Sequence, residues 1–233
     1  MKISIEEFKQ EISALNSVII KHFKQFEKPN QQLINDGIVN VSEYYNSPIK
    51  IMWVLKEPYD KEDNDGGDWS MSEALNKGGL GNGKDASTWQ PIIYSTYGIL
   101  NNYIKYEKMP KIKDIKNMNL ILRNIAFINV QKLPAKTRTS DAAIKVAYQK
   151  NREILLAQIA TYRPDIIIGG KTLHLFKDDL KITKKNELKF GHFTKGKTLF
   201  INTFHPAQTK ITKCEYVNKI IERAETWKGI YSN

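Results

Sequence analysis

The chain alternates between segments with helical periodicity and short apolar runs. From Ile5 to about Phe26, apolar residues recur at a spacing near 3.6, which makes one helical face. Four short apolar runs predict buried strands, at residues 51–55, 125–130, 165–168 and 199–204. Further helical patterns separate these runs and follow the last of them, at residues 88–106, 140–162 and 214–227.

Short apolar strands that alternate with helices are typical of a mostly parallel sheet with helices on both faces. We therefore predict an α/β protein with a three-layer α/β/α sandwich around a central, four-stranded, mainly parallel sheet. The run at 51–55 is apolar throughout, which predicts a central strand. The chain has 233 residues, enough for one domain with a full core. We predict a single domain over residues 1–233 with an N-terminal helical segment at about 1–45.

Composition narrows the class of protein. The formal net charge of +11 predicts attraction to polyanions, of which nucleic acid is the commonest, although many basic proteins bind none. No apolar run approaches the length of a membrane span, and the start of the chain lacks the pattern of a signal peptide. We therefore expect a cytoplasmic protein without membrane association, and a monomer. The single cysteine, Cys214, excludes an internal disulfide and a Cys-based metal centre.

One glycine-rich motif does not predict a nucleotide site. Residues 78–84 have the spacing of a phosphate-binding P-loop. The next residue, Asp85, cannot replace the hydroxyl that binds magnesium, and its charge repels phosphate. A helical pattern at 71–77 precedes the motif, whereas a P-loop follows a strand. We interpret the motif as a flexible connection.

Polar residues follow three of the predicted strands. The sequence Lys-Glu-Pro-Tyr-Asp occupies residues 56–60 after the first strand, Asn129 lies at the end of the second, and His205-Pro206 follows the fourth. In open α/β sheets, ligands bind at the carboxyl ends of the strands. A carboxylate, an amide and an imidazole at one edge are suited to cleaving a bond with oxocarbenium character. The carboxylate steadies the cation or orients water, the amide binds the leaving base, and the imidazole stabilises its developing negative charge.

These motifs, in this order, resemble the uracil-DNA glycosylase superfamily. In that superfamily an acid-Pro-Tyr type loop follows the first strand, an Asn-bearing strand lies mid-chain, and a His-Pro-Ser or His-Pro-Ala loop follows the last strand. Residues 163–172 are similar to the family's third strand and turn, and the resemblance covers roughly residues 51–220. It implies a DNA glycosylase that flips a uracil-like base out of DNA, single- or double-stranded, and hydrolyses its N-glycosidic bond, with no cofactor and no metal.

The resemblance also assigns roles. It puts Glu57 at the position of the carboxylate that activates water, and Tyr59 where a bulky side chain bars the methyl group of thymine. Trp69 corresponds to the aromatic that stacks on the flipped base. Asn129 pairs with the edge of that base, and His205 supports the carbonyl oxygen of the departing base.

Each assignment has a structural alternative. Asn129 can satisfy a strand end, Trp69 can be a core or surface aromatic, and Tyr59 can fill a turn. The chain also differs from the family pattern, since residues 207–210 contain no apolar wedge to fill the gap left by a flipped base. The acidic stretch at 57–68 predicts a solvated loop, with magnesium binding as a second option.

Basic residues near the same loops predict salt-sensitive contacts with DNA phosphates, at Lys132, Lys136, Arg138 and Lys210. The alternative is that these side chains only keep the surface soluble. Three functions therefore stay open. The first is a monofunctional DNA glycosylase for uracil or a related base. The second is a non-catalytic member of the same fold that binds nucleic acid or protein, and the third is a hydrolase of free nucleosides or nucleotides.

Overall fold

The computed structural model describes residues 3–58, 60, 66–80, 86–134, 140–181 and 191–231. The α-helices are α1 (Ile5–Lys24), α2 (Val41–Asn46), α3 (Met71–Asn76), α4 (Ala86–Leu100), α5 (Asp141–Tyr162) and α6 (Lys213–Tyr231). Short 3-10 helices cover Tyr106–Lys108, Ile112–Asp114, Met118–Asn124 and Leu173–Phe176. Within these residues, none of the helices combines the length and apolar character that crossing a bilayer requires.

The strands are β1 (Ile34–Asn35), β2 (Gly37–Ile38), β3 (Ile51–Leu55), β4 (Trp69–Ser70), β5 (Ile125–Asn129), β6 (Ile166–Gly170), β7 (Gly191–Lys195) and β8 (Thr198–Thr203). In the described part of the chain, six of them form a sheet in the order β2-β5-β3-β6-β8-β7. The central four are parallel, and the outer strands β2 and β7 are antiparallel to their neighbours. β1 and β4 form a separate parallel pair.

The α/β class and the central position of β3 are confirmed, but the prediction of a four-stranded sheet is wrong. All four predicted strands form, and two further strands extend the sheet at its edges. β2 has two residues, and β7 alternates partly buried with exposed positions, so neither carries the continuous apolar run of a strand buried on both faces.

The N-terminal segment at about 1–45 is not wholly helical, because β1 and β2 lie within it. α1 begins at Ile5 as predicted, with Ser4 as the capping residue, whose hydroxyl accepts a hydrogen bond from the Glu7 N–H. α4 begins earlier than its pattern suggests, at Ala86, so that Pro91 lies inside the helix and not at its start.

The core forms on both faces of the sheet because strand side chains alternate in direction. Ile51, Trp53 and Leu55 of β3 pack in one cluster with residues of α4 and α6. Met52 and Val54 belong to a second cluster with residues of α1 and α5. All five of these side chains are buried, which explains the uninterrupted apolar run.

Continuous register brings the ends of the parallel strands to one edge of the sheet. Leu55 of β3 pairs with Asn129 of β5, and Gly170 of β6 pairs with Thr203 of β8. Gly170 is needed at this edge, because a Cβ there would lie 2.4 Å from Cδ2 of Leu55 and 3.2 Å from Cδ of Pro206. The end of β3 and the loop after β8 therefore approach each other across a residue without a side chain.

We expect Gly170→Ala to lower the free energy of unfolding by about 1–3 kcal/mol, because the added methyl group overpacks a filled site. The control is Gly229→Ala in α6, where a Cβ meets no atom within 4 Å. This second change removes a helical glycine and should raise the free energy of unfolding by about 0.5–1 kcal/mol. Urea unfolding measures both. Equal stability of the two variants would contradict the close approach at Gly170.

Candidate active site

His205 lies in the loop that follows β8, with its imidazole held against the backbone. Its Nδ1 accepts a hydrogen bond from the Ala207 N–H at 3.2 Å. Burial, and secondly the charge of Lys56, lower the pKa of His205 to about 4. The ring is therefore neutral at pH 7. Because Nδ1 accepts, the proton of the neutral ring is assigned to Nε2, which is left as a donor.

The His-Pro loop is tied down at both ends. The hydroxyl of Tyr216 on α6 donates to the Phe204 carbonyl at 3.0 Å. Oε1 of Gln208 accepts from the N–H groups of Lys210 and Ile211 at 2.6 and 3.0 Å. The Lys210 side chain stays exposed, with Nζ 5.1 Å from the centre of the Phe204 ring. These contacts fix the backbone that presents His205.

Two lysines and an aspartate form a charged group after the ends of β3 and β6, which we call the edge cluster (Lys56, Asp141 and Lys171), and Lys56 is the member whose charge acts on His205. Lys56, directly after β3, donates from Nζ to Asp141 at 2.7 Å, and Lys171, directly after β6, donates to the same carboxylate at 3.2 Å. These hydrogen bonds, that of Lys56 first, lower the pKa of Asp141 to about 2. The edge cluster carries a net positive charge at pH 7.

Glu57 and Asn129 lie at the same edge of the sheet. Glu57 is half-buried, two residues after the end of β3. Asn129 is 2% exposed and pairs in register with Leu55. Since β3 and β6 lie between β5 and β8, the chain at Asn129 and the chain before His205 are about 14 Å apart, or three strand spacings. The three predicted residues thus lie at or just after the carboxyl ends of the parallel strands.

Trp69 is partly buried, and its indole is held in place by an acid of the acidic stretch. Nε1 of Trp69 donates to Asp60 at 3.0 Å, and the Gly67 N–H donates to the same oxygen at 2.8 Å. Asp60 is therefore a local acceptor and not only a solvated charge. Tyr59 and residues 61–65 lie outside the described residues, so neither the role of Tyr59 nor the rest of the acidic loop is described.

The prediction that Lys132 contacts DNA is wrong. Lys132 is fully buried, and its ammonium donates to Asp36 at 2.5 Å and to the Asn129 carbonyl at 3.2 Å. A group enclosed in this way does not reach a phosphate. Lys136 and Arg138 lie outside the described residues.

Sequence reasoning missed Lys171, Asp141 and Asp36. The strand-end pattern that identified His205 also applies to Lys171, which follows β6, so that signal was present. Asp141 is the first residue of α5, where acids are common for helix-dipole reasons alone. For Asp36 the sequence offers no signal, since its partners lie far along the chain.

Comparison with known proteins does not identify a function for this chain. A scan against protein-family models finds no match for this chain, and a search of curated proteins finds none either. Among the described residues there is no group of three or more His, Cys, Asp or Glu that could hold a metal ion. A functional proposal therefore depends on the residues at the carboxyl ends of the parallel strands.

We expect the His205 imidazole to stay neutral from pH 7 down to near its pKa of about 4, against an ordinary value of 6.5. The unfolded chain takes up this proton near pH 6.5, so folding loses stability as the pH falls toward 4, by up to about 3 kcal/mol. Side-chain NMR titration measures the pKa and the tautomer. Unfolding of native protein and His205→Gln at pH 7 and pH 5 isolates the energetic effect. An imidazole that titrates near 6.5 would contradict the buried, backbone-bonded ring.

Proposed function

We propose that this protein is a monofunctional DNA glycosylase of the uracil-DNA glycosylase type, which hydrolyses the N-glycosidic bond of uracil or a related damaged base in DNA during base excision repair. The observation that carries the proposal is a neutral, part-buried His205 whose Nε2–H is left as a donor, at the same sheet edge as Glu57 and Asn129. The three-layer α/β/α arrangement, a monomeric state and a cytoplasmic location are parts of this proposal.

Breaking the N-glycosidic bond leaves negative charge on the base and positive charge on the sugar. The sheet edge offers one residue to stabilise each of them. The bond between the sugar C1′ and the base nitrogen breaks, and its electron pair leaves with the base. His205 donates from Nε2 to a carbonyl oxygen of that base, and the charge of Lys56 contributes, after burial, to the lowered pKa of His205. A neutral imidazole is the proper donor, because it stabilises the anion without requiring a pH low enough to charge it.

On the sugar side, Glu57 supplies negative charge. A water oxygen forms the new bond to C1′, and Glu57 orients that water and accepts its proton. The base anion then takes a proton from solvent. Asn129 pairs with the edge of the base, Trp69 stacks on it, and Tyr59 restricts the pocket to bases without a methyl group. No step needs a metal or an organic cofactor.

DNA binding at this edge requires a basic surface other than Lys132. Lys171 has a side chain that is 54% exposed, and Lys210 is exposed in the His-Pro loop. These two lysines follow β6 and β8 at the proposed site, so we assign the phosphate contacts of the described residues to them.

A second candidate function is a non-catalytic member of the same fold that binds nucleic acid or protein. The His-Pro loop favours it, because residues 207–210 offer no large apolar side chain to enter a duplex and Gln208 is already bonded within the loop. Such a protein would bind DNA with the same salt dependence and release no base.

We expect His205→Ala to lower the rate of uracil release by about two to three orders of magnitude, the scale seen when one donor to a developing anion is lost. Glu57→Gln should also slow release, since an amide orients water but does not neutralise a cation. The assay incubates the protein with a uracil-containing oligonucleotide in EDTA and then cleaves abasic sites with alkali.

The matched control is His192→Ala, which removes an exposed histidine on the outer strand β7 and should leave the rate unchanged. An oligonucleotide without uracil controls for nuclease activity. A native protein that releases no uracil, or a His205→Ala variant with full activity, would defeat the mechanism and favour the non-catalytic candidate.

We expect the affinity for DNA to fall steeply with salt, because lysine contacts release counterions from phosphates. Lys171→Ala and Lys210→Ala should each reduce the slope of log K against log salt by about 1. The control is Lys228→Ala, since neighbouring Trp227 donates to the Lys197 carbonyl at the opposite edge of the sheet. Fluorescence anisotropy over a salt series measures the slope. Binding that is insensitive to salt, or equally weakened by Lys228→Ala, would contradict the assignment.

A further inference from the structure

A buried ion pair surrounds the backbone of Asn129. One oxygen of Asp36 accepts from the Asn129 N–H at 2.8 Å, and the other accepts from Nζ of Lys132 at 2.5 Å. Nζ of Lys132 also donates to the Asn129 carbonyl at 3.2 Å. The side chains of Asp36 and Lys132 have no exposed surface. Both polar groups of the Asn129 backbone are therefore held by this one pair.

The ion pair bonds to backbone groups of β5 that a longer β2 would otherwise bond. β2 pairs with β5 at two positions, Gly37 with Phe127 and Ile38 with Ala126, and β2 begins at Gly37. Val130 donates its N–H to Leu55, so the backbone groups of Asn129 face the opposite side, toward β2. Asp36 immediately precedes β2. Its carboxylate accepts from the Asn129 N–H where a backbone carbonyl of a longer β2 would accept, and so extends the hydrogen-bond pattern of the sheet by one residue pair. Lys132 supplies the donor for the carbonyl.

The surrounding contacts confine Asp36. Nε2 of Gln158 donates to it at 3.2 Å and also donates to the Tyr162 hydroxyl at 3.2 Å. A Cβ on the next residue, Gly37, would lie 2.7 Å from that hydroxyl, and φ at Gly37 is +145°. The turn at residue 37 therefore requires glycine. This turn fixes the direction in which the Asp36 carboxylate points.

Stability alone does not require this arrangement. Two buried charges lose their hydration, and apolar residues of similar volume stabilise a core as well or better in many proteins. The burial that lowers the pKa of Lys132 is the same desolvation. The ion pair supplies a hydrogen-bond acceptor and a donor to the backbone of Asn129, which an apolar pair cannot do. Asn129 is the residue at which β5 ends at the proposed site.

We propose that Asp36 and Lys132 are positioning residues, which hold the Asn129 backbone so that its amide side chain faces the base to be excised. This inference rests on the proposed glycosylase function. Neither residue touches the substrate. Their effect on catalysis therefore passes through Asn129, and this separates a positioning role from a purely structural one.

The test is the double variant Asp36→Leu/Lys132→Met, which removes both charges and keeps the volume. We expect the variant to fold with a Tm lowered by about 5–10 °C, because the Asn129 N–H and carbonyl and the Gln158 amide lose buried partners. The Asn129 amide should exchange with deuterium at least about tenfold faster, since its acceptor is gone. The kcat for uracil release should fall by about 10²-fold with KM little changed, because misplacement affects the reacting geometry.

Two further variants sharpen the result. In Asp36→Asn/Lys132→Met the amide oxygen keeps an acceptor for Asn129 without any charge, so slow exchange and most of the activity should return. If the apolar double variant does not fold, this amide variant still tests whether an acceptor at position 36 is enough to hold the Asn129 backbone. In an Asn129→Ala background the apolar double variant should change kcat by less than about twofold, because an effect that passes through Asn129 disappears with it.

The matched control is Asp179→Leu/Arg152→Met, which removes an ion pair between α5 and the segment after β6. It should leave exchange at Asn129 and kcat unchanged. Native exchange at Asn129 in the apolar variant, or fast exchange with native kcat, would overturn the inference. A native protein that releases no uracil would instead overturn the proposed function, while the exchange result still decides whether the pair holds Asn129.

Discussion

The parallel, in-register pairing of β5, β3, β6 and β8 is the constraint on which the rest of the structure depends. Because the register has no slip, all four strands end at one edge and their following loops open there together. The glycine at position 170 lets the end of β3 and the loop after β8 approach closely. The outer strands β2 and β7 are short or partly exposed and lie at the two sides of the sheet. The candidate site is thus a product of strand register.

Burial then determines what each charged or polar group at the edge can do. His205 is part-buried and stays neutral, so it remains a hydrogen-bond donor at Nε2. Asp141 is exposed between two lysines and stays ionised. Lys132 is turned inward to Asp36 and supports the end of β5. Lys132, which has no exposed surface, and Lys171, which is half exposed, therefore have different roles, because their solvation differs.

The sequence predicts these features to different extents. β3 was predicted to the residue and β8 within one residue, since strands buried on both faces are continuous apolar runs. β2 and β7 lack such runs and were missed. The strand-end rule located His205 and Glu57, because it depends on local sequence. It could not reveal that Lys132 is buried, because the partner, Asp36, lies 96 positions away and the contact exists only in the folded chain.

The most direct test of the central claim, that these strand ends form a base-excision site, is a crystal structure of the protein with a DNA duplex that contains a uracil nucleotide resistant to cleavage. The account predicts a flipped uracil at the carboxyl ends of β3, β5 and β8. Its carbonyl oxygen should lie within hydrogen-bond distance of Nε2 of His205, with Asn129 at the edge of the base. A uracil that stays stacked in the duplex, or DNA bound to another surface, would contradict the account.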